Sequence, residues 1–442
     1  MCCVICMYSL ICRPLFTYCL AFCDWFYLSC FVYKFNEKSH KDLSIMPQIV
    51  RDMFQNGIAY DEPDRMPDKI NIRNLDIIMY VVAILGHFVD LGLDINIAVR
   101  YSLAGMVTEF GWTLAFILIP AFVNTAVSIR MYAQDKQQDS LTNELTRRKW
   151  VRIFILVLQM APILRFADAL IYAIKSRRAA SRKDVASQKL YFGLMLKEDS
   201  DAALLRIFEC FLEAAPQQVL QTSLLLRAQE EFAVHQILSI VSSVVGMGWC
   251  LAAYQRAIRF AQNDKSNMTW YGTILQTVWH FLVTLSRISS LAAVAYLYPH
   301  WTVVACLVHV AATATLLQMF DRSDFCSQNK LAEVSFSLAL GAVYIFTYVL
   351  PVEGRTRHRY AVYYVVCFIQ NIICASIWCY YSEDELKQSV YFVPILVLCI
   401  LPFIIGISVM VVYYAFFHPK LGRNKDDSAV SFKVVDQVAE FS

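Results

Sequence analysis

From residue 75 to residue 417 the chain alternates apolar runs of roughly twenty residues with short polar linkers. Runs of that length are read as membrane-spanning helices. In the first half they cover Leu75–Val99, Gly105–Tyr132, Trp150–Ile174, Ala203–Leu226 and Ala233–Tyr254. In the second half they cover Thr273–Leu297, Pro299–Phe320, Leu331–Leu350, Tyr360–Tyr381 and Val390–Phe417. A further apolar stretch, rich in cysteine, fills residues 1–33. The segment 34–73 mixes acidic and basic residues and reads as a solvated connector.

The linkers carry the topology, because cytoplasmic loops hold the excess of Lys and Arg. The linker 133–149 ends in "TRRKW", and 175–197 contains Lys175, Arg177, Arg178, Arg182, Lys183, Lys189 and Lys197. Both read as cytoplasmic, yet they flank a single apolar run, Trp150–Ile174. A span cannot have both ends on one side, so this run, with Pro162 at its middle, is predicted to be re-entrant. The same conflict arises at Leu331–Leu350, between "QMFDRSDFCSQNK" and "VEGRTRHRY". Backbone that turns at membrane depth is tolerated where protein buries it. The pattern therefore predicts an all-α polytopic membrane protein of eight spans plus two re-entrant half-helices. These form two parallel repeats, 74–258 and 259–418, each entering and leaving on the cytoplasmic side. The N-terminal extension 1–73 and a cytoplasmic tail, 419–442, lie outside the repeats.

Composition agrees with that reading. The hydrophobic set makes up 58% of the 442 residues and charged residues only 17%, whereas soluble domains run near 45–50% and 25%. A net charge of +3, with no long basic block, gives no reason to expect a nucleic-acid partner. The 15 cysteines lack zinc-like spacing and read as reduced thiols inside apolar runs. No metal or other cofactor is expected. No nucleotide-binding or catalytic motif is present, so neither an enzyme nor a pump is indicated.

The chemistry lies in charges inside the apolar runs. Each such charge costs roughly 2.5–3.5 kcal/mol at mid-membrane, so these groups must meet one another or water. In "ILGHFVDLGLDINIAV", Asp90 and Asp94 stand one helical turn apart on one face. Glu109 falls in the next span, and Arg165 and Asp168 in the re-entrant run. In "LLRIFECFLEAAPQQVLQ", Arg206, Glu209, Glu213, Gln217 and Gln221 recur every three or four residues, with Gln218 adjoining, which is one helical stripe. Pro216 withholds a donor from the Leu212 carbonyl and is expected to kink the helix. Asp94, Glu109, Arg165, Arg206, Glu209 and Glu213 are expected to form one connected network. Such charges either hold the bundle together or line a path for a charged or zwitterionic group; a buried network can do both. The second half is poorer in charge, with His280, Arg287 and His309 inside its spans.

These stretches, with "QMAPILRFADAL", "WCLAAYQRAIRFAQNDK" and "GAVYIFTYVLPVEGRTRHRY", resemble the XK-related family of phospholipid scramblases over residues 74 to 420. The resemblance implies a multi-pass plasma-membrane protein that moves phospholipids between leaflets without ATP and exposes phosphatidylserine. It also implies partners beyond the phospholipids themselves: a single-span accessory subunit, a bridge-like lipid-transfer protein, or a caspase that activates the protein in apoptosis. Candidate caspase cuts follow Asp64, with Asp61 upstream, and Asp427, followed by Ser428. Asp201 in "EDSDA" is a further acidic match but lies near a helix start. The alternatives are a non-scrambling XK-like scaffold that docks a lipid-transfer protein or accessory subunit, and a secondary transporter for small solutes.

Overall fold

A computed structural model describes residues 70, 72–137, 161–228, 234–261, 268–320, 330–349 and 357–418. Regular structure among them is helical throughout. The apolar stretch 1–33, most of the connector 34–73, the candidate cuts at Asp64 and Asp427, and the tail 419–442 lie outside the described residues.

Helix α1 spans Asn74–Leu103 and α2 spans Val107–Gln137. The α1 start is closed by Asp76, whose Oδ2 accepts the Arg73 backbone N–H at 2.8 Å. The chain reverses between α1 and α2 through Gly105, whose φ of 72° suits a residue without Cβ. At 30 residues, α1 is about 45 Å long and exceeds the hydrocarbon core.

Helix α3 (Ala161–Ser181) and a second helical run form a tight hairpin. That run is α4 (Val185–Glu209), a π-helical turn (Cys210–Ala214) and α5 (Ala215–Ala228), continuous along its length. Lys183 turns the hairpin with φ 61°, and Asp184 caps α4 by accepting the Ser187 N–H at 3.1 Å. The basic stretch 175–197, expected to be a linker, is thus helical on both sides of one turn. Alternating Ala, Tyr and Met positions give both arms a face to bury. Tyr172 and Ala173 of α3 pack there on Phe192 and Met195 of α4. Residues 150–160 of the expected re-entrant run lie outside the described part, and Pro162 falls at the beginning of the described helix.

The irregularity expected at Pro216 takes a particular form. Proline has no N–H to return to the Leu212 carbonyl, and the turn before it widens. The Ala215 N–H bonds back to the Cys210 carbonyl, five residues earlier. A π turn replaces the kink, and such turns occur frequently at functional sites.

The second half comprises α6 (Val234–Ala261), α7 (Trp270–Leu297), α8 (Pro299–Phe320), α9 (Lys330–Val343), α10 (Arg357–Tyr381), the short α11 (Asp384–Gln388) and α12 (Phe392–Val412). A π turn, Tyr413–Phe417, closes α12. Helix α7 is the hub and packs on α5, α6, α8, α10 and α12. Its start is capped by Thr269, whose Oγ1 accepts the Gly272 N–H at 2.9 Å. Buried Trp279 sits among Tyr360, Tyr364, Tyr413 and Tyr414, with ring centroids 6.0–6.4 Å away. Gly248 lets α6 approach α7 closely: a Cβ there would lie 2.7 Å from the Thr277 carbonyl oxygen. Small residues at such crossings allow backbones to meet in membranes.

Among the described residues, seven helices are long and apolar enough to cross a membrane: Asp76–Leu103, Val107–Ala133, Leu238–Arg259, Trp270–Leu297, Pro299–Phe320, Arg359–Tyr381 and Phe392–Phe417. The expected eighth, Ala203–Leu226, is not among them, because its carboxylates and amides lower its hydropathy and it belongs to the longer run beginning at Val185. The segment expected at Leu331–Leu350 is helical only to Val343. Fourteen residues rise about 21 Å, short of a crossing.

Candidate functional site

The polar stripes of α1 and of the α4–α5 run face each other. His87 Nδ1 lies 2.9 Å from Glu209 Oε1, each side chain being 17% exposed. Asp94 approaches Glu213 and Gln217. Asp90 feels Glu209 and Arg206. His87, Asp90 and Asp94 share one face of α1 because three- and four-residue steps bring helical side chains into line. Glu209, Glu213 and Gln217 line up the same way across the π turn.

Asp90 and Arg206 are exposed, yet the neighbouring exposed residues are Phe88, Val89 and Leu93. Charged groups therefore open onto an apolar surface, the reverse of what lipid tails favour. Behind them the polarity continues inward. Gln217 and Gln218 are buried. Gln218 Oε1 and Thr222 Oγ1 on α5, and Asn124 Oδ1 and Ser128 Oγ on α2, are buried with no hydrogen-bond partner in the protein. Buried polar atoms of this kind are ordinarily satisfied by water.

A second cluster sits one to two turns earlier on α4. Arg165 of α3 is fully buried, and its guanidinium meets Glu198 Oε2 at 2.8 Å and Asp201 Oδ2 at 2.9 Å. Its flat face lies 3.8 Å from the centre of the Tyr132 ring, so α2, α3 and α4 are held at one point. Asp168 is buried beside them. Three carboxyl groups, Glu198, Asp201 and Asp168, thus gather around one guanidinium.

The single network expected from the sequence is therefore divided. Asp90, Asp94, Arg206, Glu209, Glu213 and Gln217 gather between α1 and the α4–α5 run, while Arg165 and Asp168 belong to the hairpin cluster. Glu109 stands apart in the first turn of α2, near Tyr101. Asp201, a candidate cut by sequence, is instead an ion-pair partner within α4. Sequence reasoning missed His87 and Glu198. His87 carried a signal, since it precedes Asp90 by three residues on the same stripe. Glu198 carried none, because its partner is 33 residues away. Among the described residues no group of His, Cys, Asp and Glu could hold a metal ion.

What the fold and these clusters define is a polytopic helical membrane protein with a charged seam open on an apolar surface. A profile of the XK-related protein family matches residues 78–419, and the chain belongs to that family. It is similar to proteins named cell death abnormality protein 8 from two nematodes. With that of Caenorhabditis elegans it is 27% identical over 405 residues, covering 86% of this chain and 87% of the relative. With that of Caenorhabditis briggsae it is 26% identical over 403 residues, covering 86% of each.

Proposed function

We propose that the protein is an ATP-independent phospholipid scramblase of the plasma membrane, and that it exposes phosphatidylserine at the cell surface during cell death. The observation that carries this reading is the exposed charge of Asp90 and Arg206 on an apolar surface, continuous with the polar ladder of the α4–α5 run. From Arg206 to Gln221 that ladder rises about 22 Å, most of the depth of the hydrocarbon core. A lipid headgroup, charged or zwitterionic, replaces water and protein dipoles step by step along the ladder, while its acyl chains stay in the bilayer. The buried amide and hydroxyl atoms of Asn124, Ser128 and Gln218 supply further polar contacts and hold water. Passive movement needs no nucleotide, metal or covalent step.

In this reading the α4–α5 run is the eighth crossing, α3 and α9 are the half-inserted segments, and the two halves are parallel repeats. The related cell death proteins support a role in dying cells, and cleavage after Asp64 or Asp427 is the proposed release of restraint. The test is reconstitution of the purified protein in liposomes carrying a fluorescent phospholipid, followed by quenching from outside. A scramblase lets the quencher reach nearly all of the label, whereas protein-free vesicles protect about half. Protection equal to protein-free vesicles, from full-length and cleaved protein alike, overturns the proposal and leaves a docking scaffold as the reading.

A further inference from the structure

Helices α8 and α10 both lean on α7, and between them lies a cavity of about 600 Å³. Its lining is layered along these three helices. Tyr298, Trp301 and Tyr381 form the rim, where the ends of α7, α8 and α10 come together. Trp301 is 72% exposed, and Tyr298 meets Tyr381 edge to face at 5.9 Å. Amphipathic rings of this kind belong at the boundary between membrane and water. The walls are apolar, with Leu291 and Val294 on α7 and Ile373 on α10. Arg287, His309 and Gln370 form the floor, about 15 Å below the rim along α7.

Arg287 is 2% exposed. Its Nε donates to the Ile345 carbonyl at 2.9 Å, one terminal nitrogen to Asn371 Oδ1 at 2.7 Å, and the other to Gln370 Oε1 at 2.9 Å. Every one of these acceptors is neutral. A guanidinium has five N–H donors, so two remain. No ion pair joins Arg287 to a carboxylate among the described residues. Gln370 in turn meets His309 Nδ1 at 3.2 Å, and His309 Nε2 is buried with no protein partner.

Hydrogen bonds to neutral acceptors would tie α7 to α10 and to the segment after α9 without a full charge. A cation kept at this depth is compensated only when an anion joins it. The planar fork of arginine matches the paired oxygens of a carboxylate or phosphate. The apolar walls then decide what carries that anion. Ile373 lines the cavity yet is 52% exposed, so the space opens sideways between α8 and α10 towards the acyl region. Its volume suits one small or single-chain ligand, not a whole two-chain phospholipid.

We infer that this cavity binds an anionic single-chain amphiphile, a fatty acid or a lysophospholipid, with its acid group on Arg287 and its chain running out between α8 and α10. The site shares no residue with the polar ladder of the first half. Its occupancy can be measured whether or not the protein moves lipids.

The test uses the purified full chain in detergent micelles, labelled with a photoactivatable palmitate analogue. Palmitate, lysophosphatidic acid, hexadecanol and inorganic phosphate are then added as competitors, and the labelled peptides are mapped. Labelling is expected on the segments around Arg287, Cys306 and Cys374. At least one of the two acids should compete about tenfold better than hexadecanol, and phosphate alone should not compete. Whichever acid competes better identifies the headgroup as carboxylate or phosphate. Arg287→Gln should abolish the preference for acid over alcohol. Ala305→Trp, which fills the cavity and leaves Arg287 in place, should suppress the labelling. Equal competition by hexadecanol on the unaltered protein overturns the inference and needs no variant to fold. So does label spread evenly over the lipid-facing helices, or labelling undiminished in Ala305→Trp.

Discussion

At the residue scale, the two polar clusters differ in what they do for the fold. Arg165 is fully enclosed and satisfies Glu198 and Asp201 at once. Removing it strands both carboxylates, and breaking a buried pair costs about 3–5 kcal/mol. Arg165→Ala is therefore expected to lower the yield of monodisperse protein, read by fluorescence-detected gel filtration. Glu209 is partly open, and Glu209→Gln keeps its shape and its contact with His87. That variant should reach the membrane in normal amounts and scramble more slowly, read by the liposome quenching assay.

At the scale of elements, the π turn and the close helix crossing make separable predictions. The π turn exists because Pro216 cannot bond to Leu212, and it sets the phase between Glu209 and Gln217. Pro216→Ala permits a regular α-helix. Residues on one side of the turn would then rotate by about 100° relative to the other, the angle per residue of an α-helix. The expected result is unchanged or higher thermal stability together with a loss of lipid movement. Full activity in that variant would show that the phase is immaterial. Gly248 behaves differently, because an added Cβ meets the Thr277 carbonyl at 2.7 Å and the Phe281 backbone N at 2.9 Å. Neither atom can swing away. Gly248→Ala should cost about 1–3 kcal/mol, as overpacking does, and lower the unfolding temperature regardless of pH. The same hub position makes α7 intolerant where α1, with hardly a buried side chain, is tolerant.

At the scale of the whole molecule, the proposed topology places residues 133–149, 175–197, 255–270 and 353–359 on the cytoplasmic side. Cysteines introduced at exposed positions of these stretches, such as Arg178 or Lys189, should escape a membrane-impermeant thiol reagent added to intact cells. Labelling at Lys189 would put the α3–α4 hairpin tip outside and undo the parallel repeat. Activation belongs to this scale too. With Asp64→Ala and Asp427→Ala combined, an apoptotic stimulus should leave the chain intact and the cell surface free of annexin binding. Surface exposure of phosphatidylserine through an uncut chain would assign control to a partner.

The sequence by itself determined that the chain is helical and built for a bilayer. The length of each apolar run and the three- to four-residue recurrence of polar positions are local properties. They placed Asp90 and Asp94 on one stripe and Glu209, Glu213 and Gln217 on another. The same local logic located Pro216 as an irregularity, but could not choose between a kink and a π turn, which depends on packing around the freed carbonyl. Only the tertiary structure decided which charges meet. His87 and Glu209 are 122 positions apart, Arg165 and Glu198 are 33 apart, and Arg287 finds Gln370 across 83. Hairpin 175–197 read as a linker because its basic residues dominate the hydropathy, while the small and aromatic residues between them supply a buried face once α3 and α4 lie side by side. Partner choice of this kind is settled by which faces the crossings bring within hydrogen-bonding distance, and no local pattern encodes that.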